Sequence, residues 1–181
     1  PILKILMYGN KFTDQIDGNT FRAFLPYGYN KIRNNVLSPS TYSLERHRLL
    51  WLYLKNETSF FKAKLKVLHF APESALMNQF KKLKNISYDT IDLNSPIADI
   101  KADICDLPFL DNSYDLILCN HVLEHIVDDN KAIRELYRVL KKNGIGIFQV
   151  PIDYNRDTTF EDFSVTNKKD RNKLFGQYDH V

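Results

Sequence analysis

From residue 65 onward, the chain alternates short apolar runs with amphipathic stretches. The runs at 65–71, 86–92, 113–120 and 144–150 are almost continuously apolar, which is typical of strands whose two faces are both covered. Before the last run, apolar residues at spacings of three and four predict a helix with one buried stripe. These are Ala132, Ile133, Leu136, Val139 and Leu140. The alternation predicts an α/β fold with a doubly wound, mostly parallel sheet in three αβα layers.

Polar residues mark the predicted ends of the helices. Asp128 and Asp129 suit the start of the amphipathic helix, and Asn143-Gly144 is predicted to end it. Ser43 is predicted to cap an earlier helix, because its hydroxyl can accept a hydrogen bond from a free backbone N–H of the first turn.

Composition narrows the class of protein. The chain has 181 residues and is 44% hydrophobic, enough for one α/β domain over 43–181, preceded by an irregular segment over 1–42. The net charge of +3 is small and predicts no nucleic-acid partner. Two cysteines without a Cys-x-x-Cys pair predict reduced thiols and a cytoplasmic location. No apolar run reaches about 18 residues, so no membrane span is expected, and the sequence leaves the oligomeric state open.

The loop after the first strand favours one kind of ligand. In such sheets, ligands bind at the carboxyl ends of the strands. The loop from His69 to Ala75 lacks the glycines of a pyrophosphate-binding turn and carries Glu73 near a predicted helix N-terminus. An acid there repels pyrophosphate and attracts a cation. The loop therefore disfavours an NAD(P)-dependent oxidoreductase and favours a nucleoside that carries an ammonium and a sulfonium.

Two acids follow the next strands. Asp92 ends the second strand, where its two carboxylate oxygens match a ribose diol. Asp103 is predicted to end the third strand, where it could accept a hydrogen bond from an adenine amino group while the Ile104 N–H donates to the ring. The alternatives are a strand-end acid that faces water and an Asp-capped turn.

Four short motifs carry a resemblance to a known family. They are Asp106-Leu107-Pro108-Phe109, Ser113-Tyr114-Asp115, Leu123-Glu124-His125 and Glu135-Leu136-Tyr137-Arg138-Val139-Leu140-Lys141. Their combination resembles class I S-adenosylmethionine-dependent methyltransferases of the type 11-like group. Residues 68–73 resemble the Leu-His-x-Ala-Pro-Glu first motif of a bacterial subgroup. The resemblance implies a Rossmann-like fold, S-adenosylmethionine as cofactor and S-adenosylhomocysteine as product.

The resemblance also implies which residues contact the cofactor. They are His69, Ala71, Glu73, Asp92, Leu93, Asp103, Ile104 and Asn120. Family sheets end in a further hairpin of two strands, so we expect the domain to lack its last strands and to be C-terminally incomplete.

The N-terminal segment resembles a zinc knuckle without its cysteines. Members of the subgroup have two Cys-x-x-Cys pairs, which here read Asp14-x-x-Asp17 and Ser38-x-x-Thr41. Hydroxyls and carboxylates do not make an equivalent soft site. We therefore expect the knuckle to persist in outline with no metal.

The expected function is methyl transfer to a small-molecule or sugar acceptor. His121 and His125 are the predicted catalytic residues, with His180 as a further base, and His125 could instead be a structural histidine. One alternative is a module that binds S-adenosylmethionine without catalysis. A remote alternative is a zinc hydrolase, because His121, Glu124 and His125 match a His-x-x-Glu-His pattern.

Overall fold

The computed structural model describes residues 2–28, 31–178 and 180, and the chain divides into two compact units. The first unit contains the residues up to Lys64 together with Glu73–Ile86, and the second contains Leu65–Pro72 together with the residues from Ser87 onward. Within the described part of the chain, no helix combines the length and the apolar character that crossing a bilayer needs.

The first unit combines two small hairpins with helices. Its elements are α1 (Ile2–Leu6), β1 (Tyr8–Thr13), β2 (Thr20–Phe21), β3 (Leu25–Tyr27), β4 (Arg33–Leu37), α2 (Glu45–Glu57) and α3 (Ser74–Phe80). Strand β1 pairs with β2 and β3 pairs with β4, both antiparallel. The helices share an aromatic core, in which the ring of Trp51 stacks on Phe80 with centroids 5.9 Å apart.

The start of α2 differs from the prediction. The capping residue is Leu44, and Ser43 lies one position further out. The Leu44 N–H donates to Nδ1 of His47 at 3.0 Å, so a histidine inside the first turn satisfies the N–H of the capping residue. The Ser43 hydroxyl instead lies 2.8 Å from the Thr41 hydroxyl.

A buried carboxylate joins the two predicted knuckle positions. Asp14 is fully buried. Its Oδ2 accepts from the Thr41 hydroxyl at 2.5 Å, and its Oδ1 accepts from the Ile16 N–H at 2.9 Å. Ser40 Oγ lies 3.4 Å from the same Oδ2. The first residue of one pair thus meets the last residue of the other through a hydrogen bond.

The second unit contains the parallel sheet. Its elements are β5 (Leu65–Phe70), β6 (Ile86–Asp92), β7 (Ile100–Lys101), β8 (Tyr114–Asn120), a 3₁₀ turn (Leu123–His125), α4 (Asp129–Val139), β9 (Leu140–Gln149) and α5 (Lys168–Phe175). The strand order is β7-β6-β5-β8-β9. β8 runs parallel to both of its neighbours. The predicted α/β class with a Rossmann-like parallel sheet is confirmed.

Asp115 fixes the amino end of β8. Its Oδ2 accepts from the Lys66 N–H of β5 at 2.8 Å, and Lys141 Nζ of β9 reaches both of its oxygens at 2.9 Å. Burial works to raise the pKa of Asp115, but these hydrogen bonds and the lysine charge outweigh it and lower the pKa. The acid of the Ser-Tyr-Asp motif therefore binds three strands together.

Helix α4 begins as predicted and ends earlier. Asp128 caps it by accepting from the Lys131 N–H at 2.9 Å. The helix stops at Val139, because Leu140 is extended and pairs with Tyr114, so the predicted end at Asn143-Gly144 is wrong. The buried stripe consists of Ala132, Leu136 and Val139. Ile133, which was also predicted to be buried, is 47% exposed.

Two of the family motifs dock onto each other. Glu135 Oε2 of α4 accepts from the Leu107 N–H at 2.9 Å. Arg138 donates to the carbonyls of Leu107 at 3.0 Å and Phe109 at 2.7 Å. It also pairs with Glu135 at 2.7 Å and Asp111 at 2.9 Å. These motifs hold the loop before β8 in place.

Candidate functional site

The strand order defines a ligand-binding edge. From β5 the chain adds strands outward to β7, then returns to the other side of β5 with β8. Ligands of open parallel sheets bind at the carboxyl ends of the strands, where the order reverses. Phe70 of β5 lies opposite Cys119 of β8, so the residues after these two positions meet at this switch point.

Two residues at the switch point have a left-handed backbone. Ala71 has φ +44° and His121 has φ +55°. The Ala71 N–H donates to the Ile91 carbonyl at 2.9 Å, and the His121 N–H donates to the Gln149 carbonyl at 2.8 Å. For a residue with a Cβ, this conformation costs about 1–2 kcal/mol. Such strain concentrates at ligand-binding sites.

Asn120 carries an unsatisfied buried amide between these positions. It is 3% exposed at the carboxyl end of β8. Neither its Oδ1 nor its Nδ2 has a hydrogen-bond partner among the residues that the structure describes. A buried polar group without a partner costs about 1–3 kcal/mol. The amide is therefore suited to a partner supplied by a ligand.

Asp92 lies at the end of β6, where the sequence predicts it. Its Oδ1 accepts from the N–H groups of Asn94 at 2.7 Å and Ser95 at 2.6 Å. These bonds fold the following loop back on the strand end, and they engage only one of the two carboxylate oxygens. Leu93, the next residue, is 52% exposed.

Asp103 and Ile104 lie beyond the third strand, because β7 ends at Lys101 and not at Asp103 as predicted. The Asp103 carboxylate accepts from the Cys105 N–H at 2.8 Å in a tight turn. Ile104 is buried against the core of the sheet. The turn places an exposed acid next to a buried apolar residue.

His69 is fully buried inside β5. Its Nδ1 forms a hydrogen bond with the Tyr88 hydroxyl of β6 at 2.7 Å. This bond joins two neighbouring strands, so the structure gives His69 a role in the sheet. Its contact with the cofactor stays a prediction.

Glu73 belongs to the first unit and is the residue that precedes α3. Its Oε1 accepts from Nε and Nη2 of Arg46 at 3.1 and 2.9 Å, and from Nε2 of His47 at 2.5 Å. Burial works to raise its pKa, but the bonds and charges of His47 and Arg46 outweigh it and lower the pKa. From the sequence, the run Glu45-Arg46-His47-Arg48 could fold over the site or form an ordinary charged helix face. The sequence does not predict that Arg46 and His47 pair with Glu73.

The predicted catalytic histidines lie around a buried acid. Nδ1 of His121 is 3.1 Å from Oε1 of Glu124. Burial works to raise the pKa of Glu124, but the His121 hydrogen bond and the neighbouring histidines hold it below the ordinary value. The rings of His125 and His180 are 4.9 Å apart and nearly perpendicular. The structure thus brings all three predicted histidines to one acid.

A cleft opens beside this group within the second unit. It has a volume of about 800 Å³. Glu124 and His180 line it together with Val150, Phe160 and Phe175. Its size and mixed lining are typical of small-molecule sites.

Comparisons with known proteins show which proteins this chain resembles. A family model described as a methyltransferase domain matches residues 59–148. The uncharacterised protein MJ0638 from Methanocaldococcus jannaschii is 43% identical over 74 residues, which are 38% of this chain and 31% of that protein. The ubiquinone/menaquinone biosynthesis C-methyltransferase UbiE of Rickettsia typhi is 42% identical over 64 residues, which are 34% of this chain and 26% of UbiE. The matched segments thus span less than a third of each of these relatives.

A solved structure shares the fold. A proposed sarcosine dimethylglycine methyltransferase from Galdieria sulphuraria has a TM-score of 0.52 at 18% identity, covering 78% of this chain and 52% of that one. Residues 59–148 therefore match a methyltransferase-domain family, and the solved structure shares the fold of the sheet. The cofactor of this family is S-adenosylmethionine. The unsatisfied Asn120 amide, the Asp92 carboxylate at the end of β6 and the Asp103 carboxylate in the turn after β7 fit a nucleoside with polar groups.

Proposed function

We propose that this chain transfers a methyl group from S-adenosylmethionine to a small-molecule or glycan-type acceptor. The observation that carries the proposal is the buried Asn120 amide, which has no hydrogen-bond partner among the described residues at the switch point of the sheet. When bound, the cofactor supplies an activated methyl group. The chain's part is to bind it, orient it and exclude water.

The ends of β6 and β8 and the turn after β7 contribute contacts to the proposed site. Asp92 accepts hydrogen bonds from the ribose hydroxyls, and Leu93 packs beside the sugar. Asp103 accepts from the adenine amino group, and the Ile104 N–H donates to the ring. Asn120 supplies its amide to the methionine end.

The remaining proposed contacts come from the loop after β5. Ala71 has a small side chain, which lets the cofactor approach the backbone. His69 bonds to Tyr88 and so holds the end of β5, from which the loop starts. Glu73 keeps a second, buried oxygen, Oε2, which has no hydrogen-bond partner in the described part of the chain. We assign that oxygen to the ammonium of the cofactor.

The acceptor is proposed to lie in the cleft beside Glu124. His121 and His125 are the proposed catalytic residues, because an oxygen or nitrogen acceptor needs a base to take its proton. Holding the acceptor in line with the methyl group supplies most of the rate. The cleft volume of about 800 Å³ supports a small molecule or one or two sugar rings.

Calorimetric titration of S-adenosylhomocysteine into the full chain tests the cofactor part. Asp92→Asn should weaken binding at least about tenfold, because hydrogen bonds to a charged group contribute about 1.5–3 kcal/mol. This change keeps Oδ1 for the loop bonds to Asn94 and Ser95. Asp89→Asn is the matched control on the same strand, since Asp89 accepts from the Tyr114 hydroxyl at 2.9 Å. It should leave the affinity within about twofold.

Two results would count against the proposal in different ways. Equal affinities for Asp92→Asn and the unmodified chain would remove Asp92 from the ribose role. An unmodified chain that binds neither S-adenosylmethionine nor its product would contradict the function itself. Binding without methyl transfer to any sugar or small-molecule acceptor would favour a non-catalytic binding module.

A further inference from the structure

We propose that Glu124, His125 and His180 form a binding site for a divalent transition-metal ion of the zinc type. One potential ligand atom from each residue lies within 4.8 Å of the other two. Two imidazole nitrogens and one carboxylate oxygen are a ligand set that zinc uses in catalytic sites. All three residues belong to the second unit. When the ion is bound, His125 is a ligand, so His121 is then the histidine left for the proposed base role.

Glu124, the acid of the cluster, has a buried carboxylate oxygen that can bind a cation. The Glu124 side chain is 10% exposed. Its Oε1 is engaged by His121, whereas its buried Oε2 has no hydrogen-bond partner among the described residues. A buried carboxylate oxygen without a proton donor is costly. A metal ion at Oε2 would remove that cost.

His180 is held in the tautomer that a metal needs. It is 7% exposed, and its Nδ1 lies 3.1 Å from the Phe175 carbonyl. A carbonyl only accepts, so Nδ1 carries a hydrogen, and in the neutral ring the lone pair is on Nε2. Histidine ligands commonly donate their other N–H to a backbone carbonyl, which fixes the orientation of the ring.

The surroundings favour a cation and leave it accessible. Among the described residues that line the cleft, the acids are Glu124, Asp129, Asp153, Asp157 and Glu161, and Arg156 is the one arginine or lysine. This excess of negative charge attracts cations. Three protein ligands leave a fourth position open. Since Glu124 and His180 line the cleft, an oxygen from water or from a bound hydroxyl or carboxylate can fill that position.

The ligand set differs from the one that the His-x-x-Glu-His pattern indicates. Nδ1 of His121 donates to the Glu124 carboxylate at 3.1 Å, so in this site His121 orients the acid and is not a ligand of the ion. His180, far away in the sequence, takes the place of the third ligand. The open position is therefore set by the fold of the C-terminal segment.

The test is titration of zinc chloride into the full chain after treatment with a chelator, with bound metal measured by mass spectrometry. We expect one zinc ion per chain. Glu124→Gln and His180→Gln should each lower the affinity at least about 100-fold, since even loss of a residue behind a ligand costs 10–100-fold. Glu161→Gln is the matched control, a glutamate of the same cleft outside the cluster, and should bind zinc like the unmodified chain.

Absence of zinc binding, or His180→Gln binding as tightly as Glu161→Gln, would overturn the inference. Should a variant fail to fold, the visible spectrum of Co²⁺ added to the unmodified chain decides. Visible absorption bands much stronger than those of hydrated Co²⁺, as expected for a four-coordinate ion with nitrogen ligands, support the site. Absorption equal to that of hydrated Co²⁺ overturns it. S-adenosylhomocysteine binding is measured separately, so a missing metal leaves the proposed function standing.

Discussion

Three residues at one edge of the sheet have features that destabilise the folded chain. They are Ala71, Asn120 and His121. Ala71 and His121 hold positive φ angles, and Asn120 buries an amide that has no partner among the described residues. None of these features helps the sheet to fold. Together they describe a surface prepared for a ligand, because binding can supply what the folded chain lacks.

Replacing Ala71 with glycine should raise the free energy of unfolding by up to about 1 kcal/mol, because glycine adopts a positive φ without steric cost. Thermal denaturation followed by circular dichroism measures the change. Ala132→Gly is the matched control, since Ala132 is a buried residue of α4 with helical backbone. That change should lower the stability by about 1 kcal/mol or more. If both variants lose stability equally, the backbone of Ala71 is not strained.

At the scale of elements, α4 and the loop before β8 depend on one ion pair. Glu135 accepts hydrogen bonds from Arg138 and from the Leu107 N–H. These bonds lower the pKa of Glu135 to about 2, although burial works in the opposite direction. The folded pKa lies below the ordinary value of about 4.3. The stabilisation is therefore complete above about pH 5 and is lost as the pH falls toward 2.

Glu135→Gln should accordingly destabilise the chain more at pH 7 than at pH 3, measured by urea unfolding at both values. Glu57→Gln, at an exposed residue ending α2, is the matched control for exchanging a carboxylate for an amide. An equal loss at both pH values for Glu135→Gln would contradict the ion-pair account.

The hairpins of the first unit depend on Asp14. Asp14→Ala leaves the Thr41 hydroxyl and the Ile16 N–H buried without their acceptor, which should cost about 3 kcal/mol in total. Trp51, the single tryptophan of the chain, packs in the same unit and reports its unfolding by fluorescence. Asp17→Ala is the matched control, because Asp17 is exposed and accepts hydrogen bonds from Asn19 within its own turn. Comparable losses for the two variants would contradict a special role of Asp14.

The ends of elements show what local sequence can predict. Asp128 was foreseen as a cap because its hydrogen bond spans three residues. The end of α4 was missed because Leu140 leaves the helix to pair with Tyr114, a contact that no local pattern encodes. The capping of α2 was missed because His47 is not a residue type expected there.

At the scale of the whole molecule, the parallel sheet was predictable and the partners of its charged groups were not. Continuous apolar runs fix the strands, and their alternation with helices fixes the class. Asp92 was placed by its position at a strand end. Glu73 was placed too, but Arg46 and His47, 27 and 26 residues away in sequence, engage its carboxylate. His180 meets Glu124 only through the fold of the C-terminal segment.

Hydrogen–deuterium exchange of the full chain, with and without S-adenosylhomocysteine, tests most directly whether the cofactor binds along the strand ends. The account predicts slower exchange in peptides that contain Ala71, Asp92–Ser95, Asp103–Cys105 and Asn120–His121, with the hairpins β1 to β4 unchanged. Protection confined to other segments, or none at saturating ligand, would contradict it.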